Sequence, residues 1–265
     1  PRNSALLYAP YYHGLARSRD AGMTWAEVPL PEVYLPDRFV ESAFSPDGTL
    51  YVLSNTGLVL RSADDARTWT ASYGPWSRQY SGDFRDVRIV AFSPADSATF
   101  YVSAPVSLRK AFVARLDPAG EVVWSTLLGG SGEDGANAVA LDSADDIWIA
   151  GTTSSKNFPV VAPLQGTRGK ALTGDMLGRD VFLTKLSSDG TRILYSTYLG
   201  GPGDDSANAL VIDAGGNLYV GGDAGASFPT ASAMLPSGGG GASGFVAKQD
   251  ASVRRLVYST YIDRA

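Results

Sequence analysis

RILYSTYLGGPGDDSANALVIDAGGNLYVGG, residues 192–222, decides the fold. Two runs rich in β-branched and aromatic residues, 193–199 and 209–212, flank a Gly-Pro-Gly-Asp-Asp loop, and a third, 217–221, follows a tight turn at Asp213. Such runs suit a pleated, half-buried surface, and Gly, Pro and Asp end them. An earlier version, EVVWSTLLGGSGEDGANAVALDSADDIWIAG, occupies residues 121–151. The two align without a gap from Trp124-Ser-Thr against Tyr195-Ser-Thr to Ala150-Gly151 against Gly221-Gly222. Self-similarity at long period marks a repeat architecture.

The underlying landmark is an apolar run, a turn, then an aromatic–aliphatic pair. It reads 40–44 with Leu50-Tyr51-Val52, 87–92 with Phe100-Tyr101-Val102, 138–141 with Ile147-Trp148-Ile149, and 209–212 with Leu218-Tyr219-Val220. Phe44, Phe92, Leu141 and Ile212 are equivalent and lie 48, 49 and 71 residues apart, the last step holding an insertion at 155–179. Two further runs follow each landmark: 58–62 and 68–72, 111–116 and 122–127, 181–186 and 193–199, 244–249 and 256–262.

Four strands per unit of about 40–50 residues is the arithmetic of a propeller blade. The predicted fold is all-β, a β-propeller of four-stranded antiparallel blades with strands A to D running from the channel outward. A β-sandwich would not predict the repetition, and the Ala-rich pieces lack a helical period. One domain is expected over 1–265, with blades at 39–85, 86–134, 135–205 and 206–265 after a partial blade at 1–38. That first blade has only B, C and D, at 5–9, 15–18 and 24–28. About five blades are visible, as a ring with one thin blade or, the expectation here, as part of a larger ring.

Composition narrows the function. At 265 residues with 44% hydrophobic and 18% charged content the chain buries a substantial core and is not disordered. A net charge of −5 argues against a nucleic-acid partner. No apolar run reaches the roughly 20 residues of a membrane helix. With no cysteine, disulfides, thiolate zinc sites and cysteine nucleophiles are excluded. The sequence opens on Pro1 and not Met, implying a start cleaved, trimmed or cut from something longer.

Ser18-Arg-Asp20-Ala-Gly22-Met-Thr24-Trp25 fits S-x-D-x-G-x-T-W and so resembles the BNR/Asp-box propeller repeat. Ser62-Ala-Asp64-Asp-Ala66-Arg-Thr68-Trp69 is a second copy 44 residues later, with Ala66 in place of Gly. The Asp is expected to accept turn N–H groups, the Gly to take a positive φ, and the Trp to pack between neighbouring sheets. Ala66 is expected to strain its turn. Asp-boxes occur in sialidases, other glycosidases and binding propellers alike, so the resemblance implies fold and not activity.

The stretch 192–222 resembles a second family, the bacterial β-propeller repeat called SBBP. The matching residues are Tyr195-Ser-Thr-Tyr-Leu-Gly-Gly201, Gly203-Asp-Asp205, Asp213, Gly216-Asn217, Tyr219-Val220, Phe228-Pro229 and Phe245-Val-Ala-Lys248. Leu256-Val-Tyr-Ser-Thr-Tyr261 begins the pattern again. The preceding unit matches through Gly132-Glu-Asp134, Asp142, Gly151-Thr-Thr153, Phe158-Pro159 and Val181-Phe-Leu-Thr-Lys185, departing at Asp145-Asp146. The resemblance implies bacterial, secreted or surface-anchored multidomain proteins and carries no general catalytic assignment; the location expected for this chain is extracytoplasmic, whether periplasmic, secreted or at the cell surface.

Enzyme chemistry finds little support in the residues. A sialidase needs an arginine triad and a Tyr/Glu pair; its Arg-Ile-Pro element is absent, and Arg88-Ile89-Val90 in a strand is a poor substitute. Paired-carboxylate chemistry remains open because sequence spacing does not give distance. His13, the one histidine, sits in a loop-like Tyr-Tyr-His-Gly stretch without a nucleophile motif, and is read as a turn residue. Glu133-Asp134 and Asp204-Asp205 have the ligand type for Ca²⁺ but not the EF-hand spacing, and bonding to their own turn backbone is preferred. The glycines 238–241 lack the Lys-Ser/Thr of a phosphate loop. No metal and no cofactor are expected.

The loops carry the remaining signal. In propeller topology the D-to-A and B-to-C connections share one face, and here these are long: 29–38, 72–85, 155–179 and 223–243. Those of the other face are short. Long loops on a rigid scaffold are where binding resides. Tyr73, Trp76, Arg78 and Tyr80, joined by Tyr34, have the composition of interface hot spots and sugar-stacking platforms. Lys156, Arg168, Lys170 and Arg179 give the insertion a local basic excess. The expectation is a non-enzymatic extracytoplasmic scaffold presenting this face to a protein partner, as an accessory subunit of an envelope or membrane-bound complex. The alternative is a carbohydrate-binding propeller or glycoside hydrolase using the same face.

Overall fold

The computed structural model describes residues 5–11, 14–31, 38–73, 88–92, 99–105, 110–119, 121–169, 178–238 and 243–262. These form antiparallel sheets in series, with the fold class of a β-propeller. The first sheet has three strands, β1 (Leu7–Tyr11), β2 (Gly14–Ser18) and β3 (Ala26–Val28). The second comprises β4 (Phe39–Phe44), β5 (Leu50–Ser54), β6 (Leu58–Ser62) and β7 (Thr70–Tyr73). The third comprises β8 (Arg88–Phe92), β9 (Phe100–Pro105), β10 (Ala111–Leu116) and β11 (Val122–Leu128). The fourth comprises β12 (Asp134–Leu141), β13 (Ile147–Thr153), β14 (Asp180–Leu186) and β15 (Ile193–Leu199). The fifth comprises β16 (Ser206–Ile212), β17 (Leu218–Ala224), β18 (Ser243–Gln249) and β19 (Leu256–Tyr261). Spatial order equals chain order in every sheet, consecutive strands pairing whether the connection is a tight turn or a long loop. Two compact units divide the chain, one of Pro1–Ser107 with Val113–Ser125, the other of Leu108–Phe112 with Thr126–Ala265. The division falls within the third sheet.

Burial follows strand position. β5, β13 and β14 are buried along almost their whole length, which is why they read as near-continuous apolar runs. The outermost strands β7 and β11 are exposed at Thr70, Ala71 and Tyr73, and at Val123, Ser125 and Leu127. The first strand of each four-stranded sheet slips register at the same place: between Phe39 and Glu41, Ile89 and Ala91, Ala136 and Ala138, and Ala207 and Ala209. A bulge there sharpens the twist of the innermost strand. Opposite two of these bulges stand Gly151 and Gly222, where a Cβ would overlap the carbonyl oxygens of Gly135 and Ser206.

β15 and β19 depart from the outer-strand pattern, and the long loops explain it. Val161 exchanges backbone hydrogen bonds of 3.0 and 2.9 Å with Ser196, and Tyr198 N donates to Gln165 O at 3.1 Å. Ala231 pairs with Ser259 at 3.0 and 2.7 Å, and Tyr261 N donates to Leu235 O at 3.1 Å. Each loop thus runs beside the outer strand of its own sheet and covers an edge that would otherwise present unpaired backbone groups. This corrects the expectation that all of residues 155–179 elaborates the loop-bearing face: residues 161–165 are edge cover. The loops are pinned by Phe158 and Phe228, buried against Phe182 and Phe245 at ring distances of 4.6 and 4.2 Å. Tyr198 and Tyr261 accept from the Phe158 and Phe228 amides at 2.9 and 2.8 Å and donate to Ser155 O and Gly225 O at 2.8 Å each.

Candidate binding surface

The short turns are closed by their own acids. Asp20 accepts from Ser18 Oγ at 2.7 Å, Thr24 N at 2.8 Å and Thr24 Oγ1 at 2.6 Å. Asp64 repeats this with Ser62 Oγ at 2.8 Å, Thr68 N at 2.9 Å and Thr68 Oγ1 at 2.6 Å. The threonine bonds foremost bring both carboxyls down to about 2. Gly22 has φ +94° and Ala66 φ +62°, so the alanine sits in the strained left-handed region. Trp69 packs against the Leu15–Leu58 core cluster, whereas Trp25 is 47% exposed and donates Nε1 to Gly22 O at 3.0 Å. The expectation that both tryptophans pack between sheets is corrected for Trp25, which folds onto its own turn.

The connections before β12 and β16 are built alike. Asp134 accepts from Gly130 N at 2.9 Å, Thr153 Oγ1 at 2.5 Å and Ser155 Oγ at 2.8 Å, with Lys110 Nζ 3.7 Å away. Asp205 accepts from Gly201 N and Gly225 N at 2.8 Å each. Where Thr153 and Ser155 supplied hydroxyls, the later sheet has Ala224 and Gly225. Burial, followed by the charges of Asp180 and Asp204, outweighs the two amide bonds and pushes Asp205 up to about 7. Asp205 bonds backbone amides, whereas Asp134 bonds one amide and two hydroxyls, and among the described residues no three His, Cys, Asp or Glu side chains are grouped to hold a metal.

The residues expected to bind are placed unequally. Tyr34, Trp76, Arg78, Tyr80 and Lys170 lie outside the described residues, as does His13. Tyr73 ends β7 and is 55% exposed. Lys156 is exposed on the loop after β13. Arg168 is not available to a partner. Its side chain is 7% exposed, its Nε stands 3.6 Å from Asp180 Oδ1, and it donates to Ser154 O at 2.7 Å and to Gly178 O. Arg179 is half exposed, with Nη2 3.9 Å from Glu133.

Superposing the two loops by their Tyr-bonded carbonyls, Gln165 and Leu235, puts Gly238 where Arg168 stands and Ser243 where Asp180 stands. The fifth sheet therefore lacks the buried ion pair. In its place is a cavity of about 460 Å³ lined by residues 225–228, Thr230 and 236–238. The Ser243 hydroxyl is buried without a partner. Met234, 77% exposed, stands on the same loop, and Val160 and Val161 are over a third exposed on the neighbouring one. No single motif marks this cavity in the sequence; its one signal is the Phe158-Pro159 and Phe228-Pro229 repeat followed by unlike residues at 168 and 238.

Comparison with known proteins bears on the fold. The SBBP β-propeller repeat model matches residues 123–159 and 194–229. Each match runs from an outer strand through the first two strands of the next sheet to the Phe-Pro pair. No curated protein matches the sequence. Among solved structures, an ancestral GH74 enzyme superposes with TM-score 0.58 at 12% identity over 99% of this chain and 32% of its own. The Dos1 propeller superposes with TM-score 0.55 at 11% identity over 99% of this chain and 68% of its own. The WD40 β-propeller domain of Doa1 gives TM-score 0.52 at 7% identity over 98% and 66%. This chain thus spans about two thirds of the length of the two propellers and about one third of the GH74 enzyme. At such identities the likeness is one of fold, and the fold is a β-propeller carrying two SBBP-type repeats.

Proposed function

We propose that the protein is a non-catalytic, extracytoplasmic binding scaffold that takes a protein partner at the loop-bearing end of its fourth and fifth sheets. The observation that carries this is the cavity at residues 225–238, in the place where the preceding sheet inserts its own Arg168. It has apolar walls from Phe228 and Pro236, hydroxyls from Ser227, Thr230 and Ser237, and rigid sides, since Tyr261 fixes Gly225 and Phe228. A pre-formed hole of this kind suits an inserted side chain, and rigid sides lower the entropic cost of binding. Lys156 adds a charge at the rim of the neighbouring loop. The BNR/Asp-box-like turns, whose acids are spent on their own amides, are assigned a structural role.

The second reading is a glycan-binding propeller or glycoside hydrolase, favoured by the likeness to an ancestral GH74 enzyme. One experiment separates the two. The full chain, wild type and Ser237→Trp, is tested for native co-purification and on a glycan array. The scaffold reading predicts a fixed protein partner, lost on filling the cavity, and silence on glycans. Saturable sugar binding without a protein partner would establish the second reading instead.

A further inference from the structure

We infer that the connection 200–205 is a proton-linked latch, in which Asp205, buried beside Asp180 across Gly200, carries a proton that lets it hold the connection against its neighbours, and whose loss loosens the joint.

Two equivalent joints of the repeat differ in the charges they bury. At Gly129 the sister joint brings together one carboxylate, Asp134, and one cation, Lys110. At Gly200, the equivalent glycine, a Cβ would stand 2.7 Å from Asp205 Oδ2 and 2.8 Å from Asp180 Oδ2. Asp180 occupies the place of Lys110, at the first residue of its strand. Two carboxylates, 0% and 1% exposed, therefore meet over a residue with no side chain.

Arg168, from the loop before β14, lies against Asp180 and supplies one positive charge for two acids. Asp204 is exposed and accepts from Arg179 N at 2.8 Å, while the Arg179 guanidinium turns toward Glu133. Residues 225–238, packed on the other side, contain no titratable side chain. The pair is thus one positive charge short of the neutrality that the Lys110 joint has, and two like charges buried this close do not both ionise. Burial raises both acids, Asp205 to about 7.

The joint is what the proton holds. Asp205 ties Gly201 N and Gly225 N, its amide donates to Arg179 O at 2.6 Å, and its carbonyl accepts from Thr152 Oγ1 at 3.2 Å. The folded-state value lies above the ordinary carboxylate range near 4, so the folded form binds the extra proton. Its contribution is complete below about pH 4 and is lost as pH rises through about 7.

The test is a carboxyl ¹³C NMR titration of the full chain, with amide-exchange protection read at Gly201 and Gly225 against Gly130 in the sister joint. One aspartate is expected to titrate near pH 7 and to vanish in Asp205→Asn, with protection at Gly201 and Gly225 falling about tenfold relative to Gly130 between about pH 6 and 8.5. Asp180→Asn serves where Asp205→Asn does not fold, and should move the midpoint down by about one unit. All aspartates titrating below about pH 5 would overturn the inference. So would a protection ratio that does not change with pH, or a pH response abolished by Ca²⁺, which would mean that a metal neutralises the pair.

Discussion

Asp134 and Asp205 stand 71 residues apart in the sequence and in the same position of successive sheets, each accepting the amide of the second glycine of a Leu-Gly-Gly corner, Gly130 and Gly201. They differ in what faces them. Asp134 has two hydroxyls and Lys110; Asp205 has two amides and a second acid. The repeat preserves the backbone role of this aspartate while its electrostatic setting changes.

The bulge geometry makes a sharp prediction at adjacent glycines. A Cβ on Gly222 would overlap Ser206 O, whereas one on Gly221 would meet only Phe245 O at 3.6 Å. Gly222→Ala should cost about 3 kcal/mol or more through forced backbone shifts. Gly221→Ala should be neutral or stabilising by up to about 1 kcal/mol. Urea unfolding of the two variants checks the contrast, and equal losses would refute the assignment of the bulge.

The loops covering β15 and β19 depend on a phenol each. Tyr198→Phe removes a buried hydroxyl that joins Phe158 N to Ser155 O, leaving both groups in search of partners. The expected cost is about 1–3 kcal/mol. Limited proteolysis should cut the variant first within residues 154–169, and Tyr261→Phe should expose 225–238 in the same way. Cleavage unchanged in either variant would show that the loops are held by other contacts.

Acid stability follows from the turn aspartates. Asp20, Asp64, Asp189 and Asp213 are held at about 2, chiefly by the side chains of Thr24, Thr68, Ser187 and Asn217 respectively. Their folded values lie below the unfolded range, so their contribution is present above about pH 4 and lost as pH falls toward 2. Asp205 acts in the opposite sense. Thermal unfolding against pH should therefore peak between about pH 4 and 6, and Asp20→Ala should lower the melting temperature at pH 6 but not at pH 2.

Much of the fold is legible in the chain because each strand carries its own pattern: Leu50-Tyr51-Val52, Ile147-Trp148-Ile149 and Leu218-Tyr219-Val220 are central strands in both readings. The beginnings of β12 and β16 are not. Gly135, Ala136 and Ser206, Ala207 read as loop, yet pair with β13 and β17 because a neighbouring strand supplies the partners that their side chains do not announce. Arg168 illustrates a different limit. It reads as surface charge, and only the approach of Asp180 explains its burial. The cavity was invisible for a related reason: it is an arginine missing from one copy of a repeat, and it shows only when two loops of unlike sequence are laid over one another.

The claim that recognition occurs at the loop-bearing end of the fourth and fifth sheets is tested most directly by amide-exchange footprinting of the native complex against the free chain. Protection should appear at residues 156–160 and 225–238, with the turns at 187–192, 213–217 and 250–255 unchanged. Protection confined to those short turns would contradict it.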